Sequence, residues 1–507
     1  MRPALFDHPV KNLRLVETHI SWVLLTGDYA YKIKKPVNLG FLDFSTLEKR
    51  RFYCEEEVRL NRRLAADYYL DVVPVTGTVE QPCWGGTGKV MEYAVKMRQF
   101  PQEAQLDRIL DRGRLEPGYM NAFACLIADF HEKASVASPS GNYGTPEHIY
   151  HPVAENFTQL EKLCTTAGLS SQLKKLQRWS RESFAAMKPV FAQRKAQGFV
   201  RECHGDMHLR NMAWIDGQPL VFDCIEFNPN LRWIDVVSEI AFLVMDLLQR
   251  RQPELAWRFL NAYLEVGGDY AGMRLLPFYL TYRAMVRAKV AAIRVSQAGI
   301  EVEDKMAAEQ ALEEYLQLAE RCSRTRQPML LITRGLSASG KSSLTSQLLE
   351  KLGAIRIRSD VERKRLFGTN RHDGAEFAFG KGIYSSAASE KTYARLVQLA
   401  AVLLEAGFPV IVDAAFLKAD QRQPFQLLAA AKQSSYIILE LQASKDTLRK
   451  RIQRRAKGVS DADLGVLERQ FRLWQELEPD EQGHCVCIDM EKEPEPEQLL
   501  RRIRAMA

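Results

Sequence analysis

Paired cysteines, long apolar runs and a strong excess of one charge are all missing from this 507-residue chain, and each absence removes a class of function. The nine cysteines are scattered, odd in number and never spaced C-x-x-C, which fits a reduced, cytoplasmic setting. The opening MRPALFDHPVKNLRL has no apolar signal region, and no later stretch supplies the roughly 18 to 20 uninterrupted apolar residues that span a bilayer. No membrane partner is expected. The net charge is only +7, from 70 basic and 63 acidic residues, so nucleic acid has no support as a partner and an affinity for small anions has little. Low-complexity tracts and repeats of solenoid length are absent too.

What remains is a globular composition, 46% hydrophobic and 26% charged, in a chain long enough for two or three domains. Residues 17–36 read as two strands turned at Gly27-Asp28. A helix follows, with Ser45 as its N-cap, and residues 70–100 return to strand character. Beyond about residue 102 the pattern is helical, broken at Ser138-Pro139-Ser140-Gly141-Asn142 and interrupted by the short strand region PLVFDCIEF. The polar stretch RCSRTRQP then precedes a new apolar strand, MLLIT. We therefore expect one domain over 1–325, with a strand-rich small lobe to about 100 and a helical large lobe after it, and a second over 326–507.

That second domain opens on Gly335-Leu336-Ser337-Ala338-Ser339-Gly340-Lys341-Ser342, which matches G-x-x-x-x-G-K-[ST] between a strand and the helix-like SSLTSQLLEKL, beginning with Ser342 and Ser343. Glycines let such a backbone curl so that its N–H groups face phosphates, the lysine reaches the β- and γ-phosphates of ATP, and the serine ligates Mg2+. Asp360 follows the strand AIRIRS at its end, placed to accept a substrate hydroxyl proton. Asp413 ends the apolar run PVIVDAAF and is a second metal-side acid. The arginine-dense TLRKRIQRRAKG, with Arg449, Arg451, Arg454 and Arg455, has the make-up of a phosphate-covering lid, or equally of a solvated helix face.

In the first domain, His204-Gly205-Asp206-Met207-His208-Leu209-Arg210-Asn211 has the spacing of the kinase catalytic loop H-R-D-x-x-x-x-N, with Gly in place of Arg. The spacing is mechanical: the aspartate meets the substrate hydroxyl while the asparagine faces magnesium one loop-turn later. Asp223, after a short strand pair, fits the metal-binding acid. A hydrolytic metal site on His204, Asp206 and His208 is the competing reading. Upstream, Ala30-Tyr31-Lys32 mimics the A-x-K of a nucleotide-binding strand, which puts Lys32 and Glu57 among the nucleotide-site candidates, while the sequence leaves open whether Lys32 or its rival Lys34 pairs with Glu56 or with Glu57.

On these motifs residues 20–250, with an extension to 321, resemble the aminoglycoside phosphotransferase and choline kinase branch of the protein-kinase-like fold. The resemblance implies that Asp206 is the base and that Asn211 and Asp223 hold magnesium. It also implies that His208 orders the loop, that Asp235 is structural and that residues 92–97 form the interlobe hinge. Residues 328–480 resemble P-loop small-molecule kinases related to gluconate kinase, zeta toxin and the kinase half of polynucleotide kinase. That resemblance implies Asp360 as base and lid arginines such as Arg451 and Arg455 on the phosphates. The whole chain resembles bacterial fusions of an aminoglycoside phosphotransferase-like domain with a P-loop ATP-binding domain. The fold implied is an α+β bilobal kinase-like domain followed by a three-layer α/β P-loop domain. The implied activity is ATP- and Mg2+-dependent transfer of phosphate to hydroxyls of small molecules at two sites. The rival expectations are one active domain gated by a nucleotide-sensing partner domain, or a nucleic-acid end kinase in the C-terminal domain.

Overall fold

The computed structural model describes residues 6–506 apart from 41, 165, 298, 325–326, 369–382, 384, 455–463 and 493. The chain forms two compact units, Met1–Gln249 with Phe278–Ala319, and Arg250–Pro277 with Glu320–Ala507.

The first unit begins with a six-stranded sheet. Its members are β1 (Arg14–Glu17), β2 (Ser21–Leu25), β3 (Tyr29–Lys34), β4 (Tyr69–Gly77), β5 (Pro82–Trp84) and β6 (Val90–Arg98), in the order β1-β2-β3-β6-β4-β5. β2 and β3 form the expected hairpin, pairing Ser21 with Lys34 and Leu25 with Ala30. The helix Leu47–Ala65 is capped one residue later than expected, by Thr46, whose hydroxyl accepts from Lys49 N–H. Ser45 is diverted, since its hydroxyl donates to Asp43 Oδ1 at 2.6 Å. Cys54, Val58 and Ala65 of this helix pack with Tyr69, Val95, Ala213 and Leu220, so one core runs from the sheet into the large lobe.

Residues 92–97 do not make the hinge. They lie inside β6, where Glu92 and Tyr93 pair with β4 and Ala94 to Met97 pair with both β4 and β3, so the sheet's backbone hydrogen bonds fix this segment within the small lobe. The connection leaves the sheet at Gln99, after which Pro101 precedes a 3-10 turn over Gln102–Ala104.

The large lobe is helical, with the long helices Pro117–Lys133, Pro146–Leu163 and Ala167–Ala196. Two small antiparallel pairs interrupt it, β7 (Val200–Glu202) with β10 (Trp233–Asp235) and β8 (Met212–Ile215) with β9 (Gln218–Val221). The helix Val236–Gln249 is buried over Val236–Leu247, as its apolar residues on every face require. Helices Leu276–Val295 and Val302–Ser323 follow.

The second unit is built on five parallel strands, β11 (Met329–Arg334), β12 (Ile355–Arg358), β13 (Val410–Asp413), β14 (Ser435–Gln442) and β15 (Cys485–Asp489), ordered β12-β13-β11-β14-β15. The three inner strands β13, β11 and β14 are buried almost throughout, as strands covered on both faces must be, whereas the edge strands alternate, β12 reading Ile-Arg-Ile-Arg and β15 exposing Cys487 and Asp489.

This unit also contains the helix Pro253–Gly267, which a single cut near residue 325 would give to the first domain. The reason lies in the exposed edge of β12. Asn261 Nδ2 donates to Ala354 O at 2.9 Å, and Arg356 N–H donates to Asn261 Oδ1 at 2.7 Å. Glu265 Oε1 accepts from Arg356 Nη2 at 2.6 Å, and Trp257 packs edge-on to Phe408. An edge strand left open would present unpaired backbone groups, and this helix supplies their partners. Among the described residues no helix is long and apolar enough to cross a membrane.

Candidate functional site

The HGD loop leaves β7 and is shaped by the helix behind it. Gly205 has φ +93°, and a Cβ there would lie 2.8 Å from Leu231 O, so only glycine fits the turn. Glu239 takes the backbone N–H of Gly205 at 3.0 Å and of His204 at 3.2 Å, and Asp246 Oδ2 takes that of Leu209 at 3.0 Å. Seven residues apart, these carboxylates share one helix face. Burial pushes Glu239 up to about 7, against the pull of Arg283 and the two N–H groups.

His204 uses both ring nitrogens. Nδ1 accepts from Asp206 N–H at 3.2 Å and Nε2 meets Phe222 O at 2.8 Å. Burial lowers its pKa to about 4, so it is a neutral structural ring. The hydrolytic metal reading loses that ligand, and no cluster of three metal-binding side chains exists among the described residues.

Asp206 accepts on Oδ2 from Asn211 Nδ2 at 3.1 Å and faces His208 Nε2 at 3.3 Å. Burial works to raise its pKa, but His208, His204 and Arg287 outweigh it and hold the carboxyl well below the usual range. Asn211 Nδ2 also donates to Asp206 O at 3.0 Å, and the side-chain Oδ1 of Asn211 has no donor among the described residues. Asp223 stands just past β9 with φ +66°, its N–H donating to the Tyr69 hydroxyl at 3.2 Å. Asp235 is gripped by Arg194 at 2.7 and 2.9 Å and caps Val237 N–H.

The lysine question has a joint answer. Lys32 Nζ lies 2.8 Å from Glu57 and 2.7 Å from Asp223, while Lys34 lies 2.7 Å from the other oxygen of Glu57 and also pairs with Glu226. Glu56 instead joins Arg59 and Arg232. Burial opposes the charge on Lys32, yet Asp223, Glu57 and Glu226 raise its pKa well above the ordinary lysine value. Burial likewise works against the Glu57 carboxylate, and the two lysines nonetheless bring it down to about 2. Lys32, Asp206 and Asp223 line one cavity of about 630 Å³.

In the second unit the residues Gly335 to Gly340 form the loop between β11 and the helix Lys341–Leu352, whose first turn carries Lys341, Ser342 and Ser343. Ala338 and Gly340 have φ of +64° and +95°, which curls the loop. Ser337 N–H donates to Gln470 Oε1 at 2.7 Å. Lys341 Nζ donates to Gly335 O at 3.0 Å and Leu336 O at 2.7 Å. Asp413, at the end of β13, is buried and accepts from the Thr345 hydroxyl at 3.3 Å.

Asp360 sits in the first turn of the helix Ser359–Leu366, not on the strand itself. Burial raises its pKa, opposed by Arg363, Arg358 and Lys341. Arg451 donates to Met490 O at 2.7 Å and to Ala338 O, on the loop, at 3.4 Å. Arg449 instead pairs with Glu468 on the surface. Arg455 lies outside the described residues.

Glu226, Glu239, Asp246 and Arg287 were not singled out from sequence. One signal was available: two acids a heptad apart inside an otherwise apolar run, EIAFLVMD.

The phosphotransferase enzyme family matches residues 108–276, and an AAA domain family matches residues 330–477. An uncharacterized protein of Mycobacterium tuberculosis is 31% identical over 463 residues, 91% of this chain and 89% of its own, and a counterpart in Mycobacterium bovis matches equally. Among solved structures, amicoumacin kinase hAmiN, in complex with AMP-PNP, Ca2+ and Ami, is similar over 60% of this chain and 88% of its own, at 13% identity and TM-score 0.39. A sugar kinase from Janibacter sp. HTCC2649 is similar over 36% of this chain and 94% of its own, at 20% identity and TM-score 0.28.

Proposed function

Because this chain belongs to the family of those mycobacterial proteins and joins a phosphotransferase-family domain to a P-loop kinase-like one, we propose that each unit transfers the γ-phosphate of Mg-ATP to a hydroxyl of a small molecule. The observation that carries this reading is the meeting of Lys32, Asp206 and Asp223 on one cavity, with Asn211 bonded to Asp206.

The donor set suits magnesium. One half-exposed carboxylate, Asp223, and one side-chain oxygen without a protein donor among the described residues, Asn211 Oδ1, are hard oxygen ligands. Magnesium takes one or two such groups and completes its shell with water and phosphate oxygens. Bound there, it would neutralise charge on the transferring phosphate.

The chain's own residues do the rest. Lys32, oriented by Glu57, exchanges its bond to Asp223 for the phosphates and frees that carboxylate for the metal. Asp206 stays ionised, and its hydrogen bonds fall on Oδ2, so Oδ1 is open to the acceptor hydroxyl proton. In the second unit Lys341 gives up its loop carbonyls for phosphate oxygens. Ser342 and Asp413 take the metal side, Asp360 serves as base, and Arg451 bears on the loop.

The test is calorimetric. Titrating the full chain with Mg-ATP should show two sites, and Lys32→Met or Lys341→Met should each remove one. Asp206→Asn should keep nucleotide binding while lowering acceptor-dependent turnover by about 10²- to 10⁴-fold. A chain that binds no Mg-ATP at either end would sink the proposal.

A further inference from the structure

The cavity beside Asp206 carries a second message, about what is phosphorylated. Its far wall comes from two large-lobe helices, with Phe242 on Val236–Gln249 and Val286, Arg287 and Val290 on Leu276–Val295. Phe242 stacks edge-on against His208, the ring that faces Asp206, with centroids 5.5 Å apart. Arg287 is close enough to Asp206 for each to perturb the other's ionisation.

The carboxylates on the cavity wall are Asp206, Asp223 and Glu226. Asp223 is paired with Lys32 and Glu226 with Lys34. A cationic acceptor would therefore find only Asp206, the group that must take the proton, already flanked by His208 and Arg287. An anion finds a different situation. Among the described residues Arg287 donates through Nε alone, to the Tyr315 hydroxyl at 3.4 Å, so its two terminal nitrogens are available for the paired bonds a carboxylate or phosphate accepts.

The same helix adds an apolar track. Val286, Val290 and Ile293 fall at i, i+4 and i+7 on one face, and Val290 and Ile293 are 49% and 43% exposed. The track starts at the cavity wall and runs outward.

We propose that the first unit's acceptor is an amphiphilic hydroxy anion, its carboxylate or phosphate held by Arg287 and its apolar chain laid along Val286, Val290 and Ile293. The proposal rests on Asp206 as the phosphotransfer base. It is tested on the full chain, with the nucleotide half filled by AMP-PNP and magnesium, by calorimetry with octanoate, octyl phosphate and octylammonium.

At least one of the two anions should bind about tenfold or more tightly than octylammonium, as a charge-assisted pair requires, and the stronger of them identifies the head group. Arg287→Lys should keep the preference and Arg287→Gln should abolish it. Octylammonium binding as tightly as both anions, or a preference that survives in Arg287→Gln, overturns the proposal. If Arg287→Gln does not fold, the wild-type comparison alone decides. Failure of the kinase reading is distinguishable: Asp206→Asn would then retain full Mg-ATP turnover, whatever the anion preference.

Discussion

At the scale of single residues, the loop that carries Asp206 is held by an acid that burial makes harder to ionise. Glu239 is wholly buried, and its pKa in the fold, about 7, lies above the ordinary 4.5. A raised folded value means that its stabilising contribution is complete below pH 4.5 and is lost as pH rises through about 7. The shift corresponds to on the order of 3 kcal/mol. Melting followed from pH 5 to 8 should thus fall more steeply for the parent than for Glu239→Gln, which cannot titrate. Identical slopes would show that Glu239 is ionised in the fold at every pH.

The contrast with Asp206 also shows what was legible in the sequence. Asp206 and Asn211 could be found because a loop's chemistry is fixed by spacing within a few residues. Glu239 could not, because its bond to His204 spans 35 positions. Arg287 lies further along still, and nothing local distinguishes it from other helix arginines. Lys32 and Lys34 share a strand face, and only the fold shows that Glu57 holds both.

At the scale of elements, the β2–β3 hairpin, the following helix and the strands β11, β12 and β13 were legible from pattern, β14 and β15 were not placed, and the partner of each apolar face was not readable at all. The helix Pro253–Gly267 is the clearest instance. Its buried residues run from Leu255 to Glu265, a pattern that states how wide a face is covered but not by what. The polar residue Asn261 carries the specificity, satisfying one donor and one acceptor of the β12 edge. Asn261→Ala leaves both buried and unmatched, and should destabilise the second unit by roughly 2 to 4 kcal/mol in chemical denaturation. Parent-like stability would mean that this edge needs no such cover. The misplaced hinge has a related cause: β6 ends where pairing ends, and pairing is a property of neighbouring strands.

For the molecule as a whole, the second unit is assembled from two separate stretches, Arg250–Pro277 and Glu320–Ala507. A single cut near residue 325 would therefore part Arg250–Pro277 from the rest of the unit it packs with. A protease site introduced near the exposed Gln327 should, once cleaved, leave two fragments that co-elute in native gel filtration and part only in denaturant. Fragments that separate freely after that one cleavage would refute the shared construction. The phosphotransferase-family match cuts across this arrangement as well, since it runs to residue 276 and so takes in the helix that guards β12.

The crossing of Arg250–Pro277 also sets an order of birth. On the ribosome this helix emerges well before the strand whose edge it will cover, and the nascent polypeptide must carry its apolar face unsheltered until β12 has been synthesised. Transiently exposed apolar surface is prone to associate, and the interval between those two segments is one in which this helix lacks the strand it covers in the finished fold.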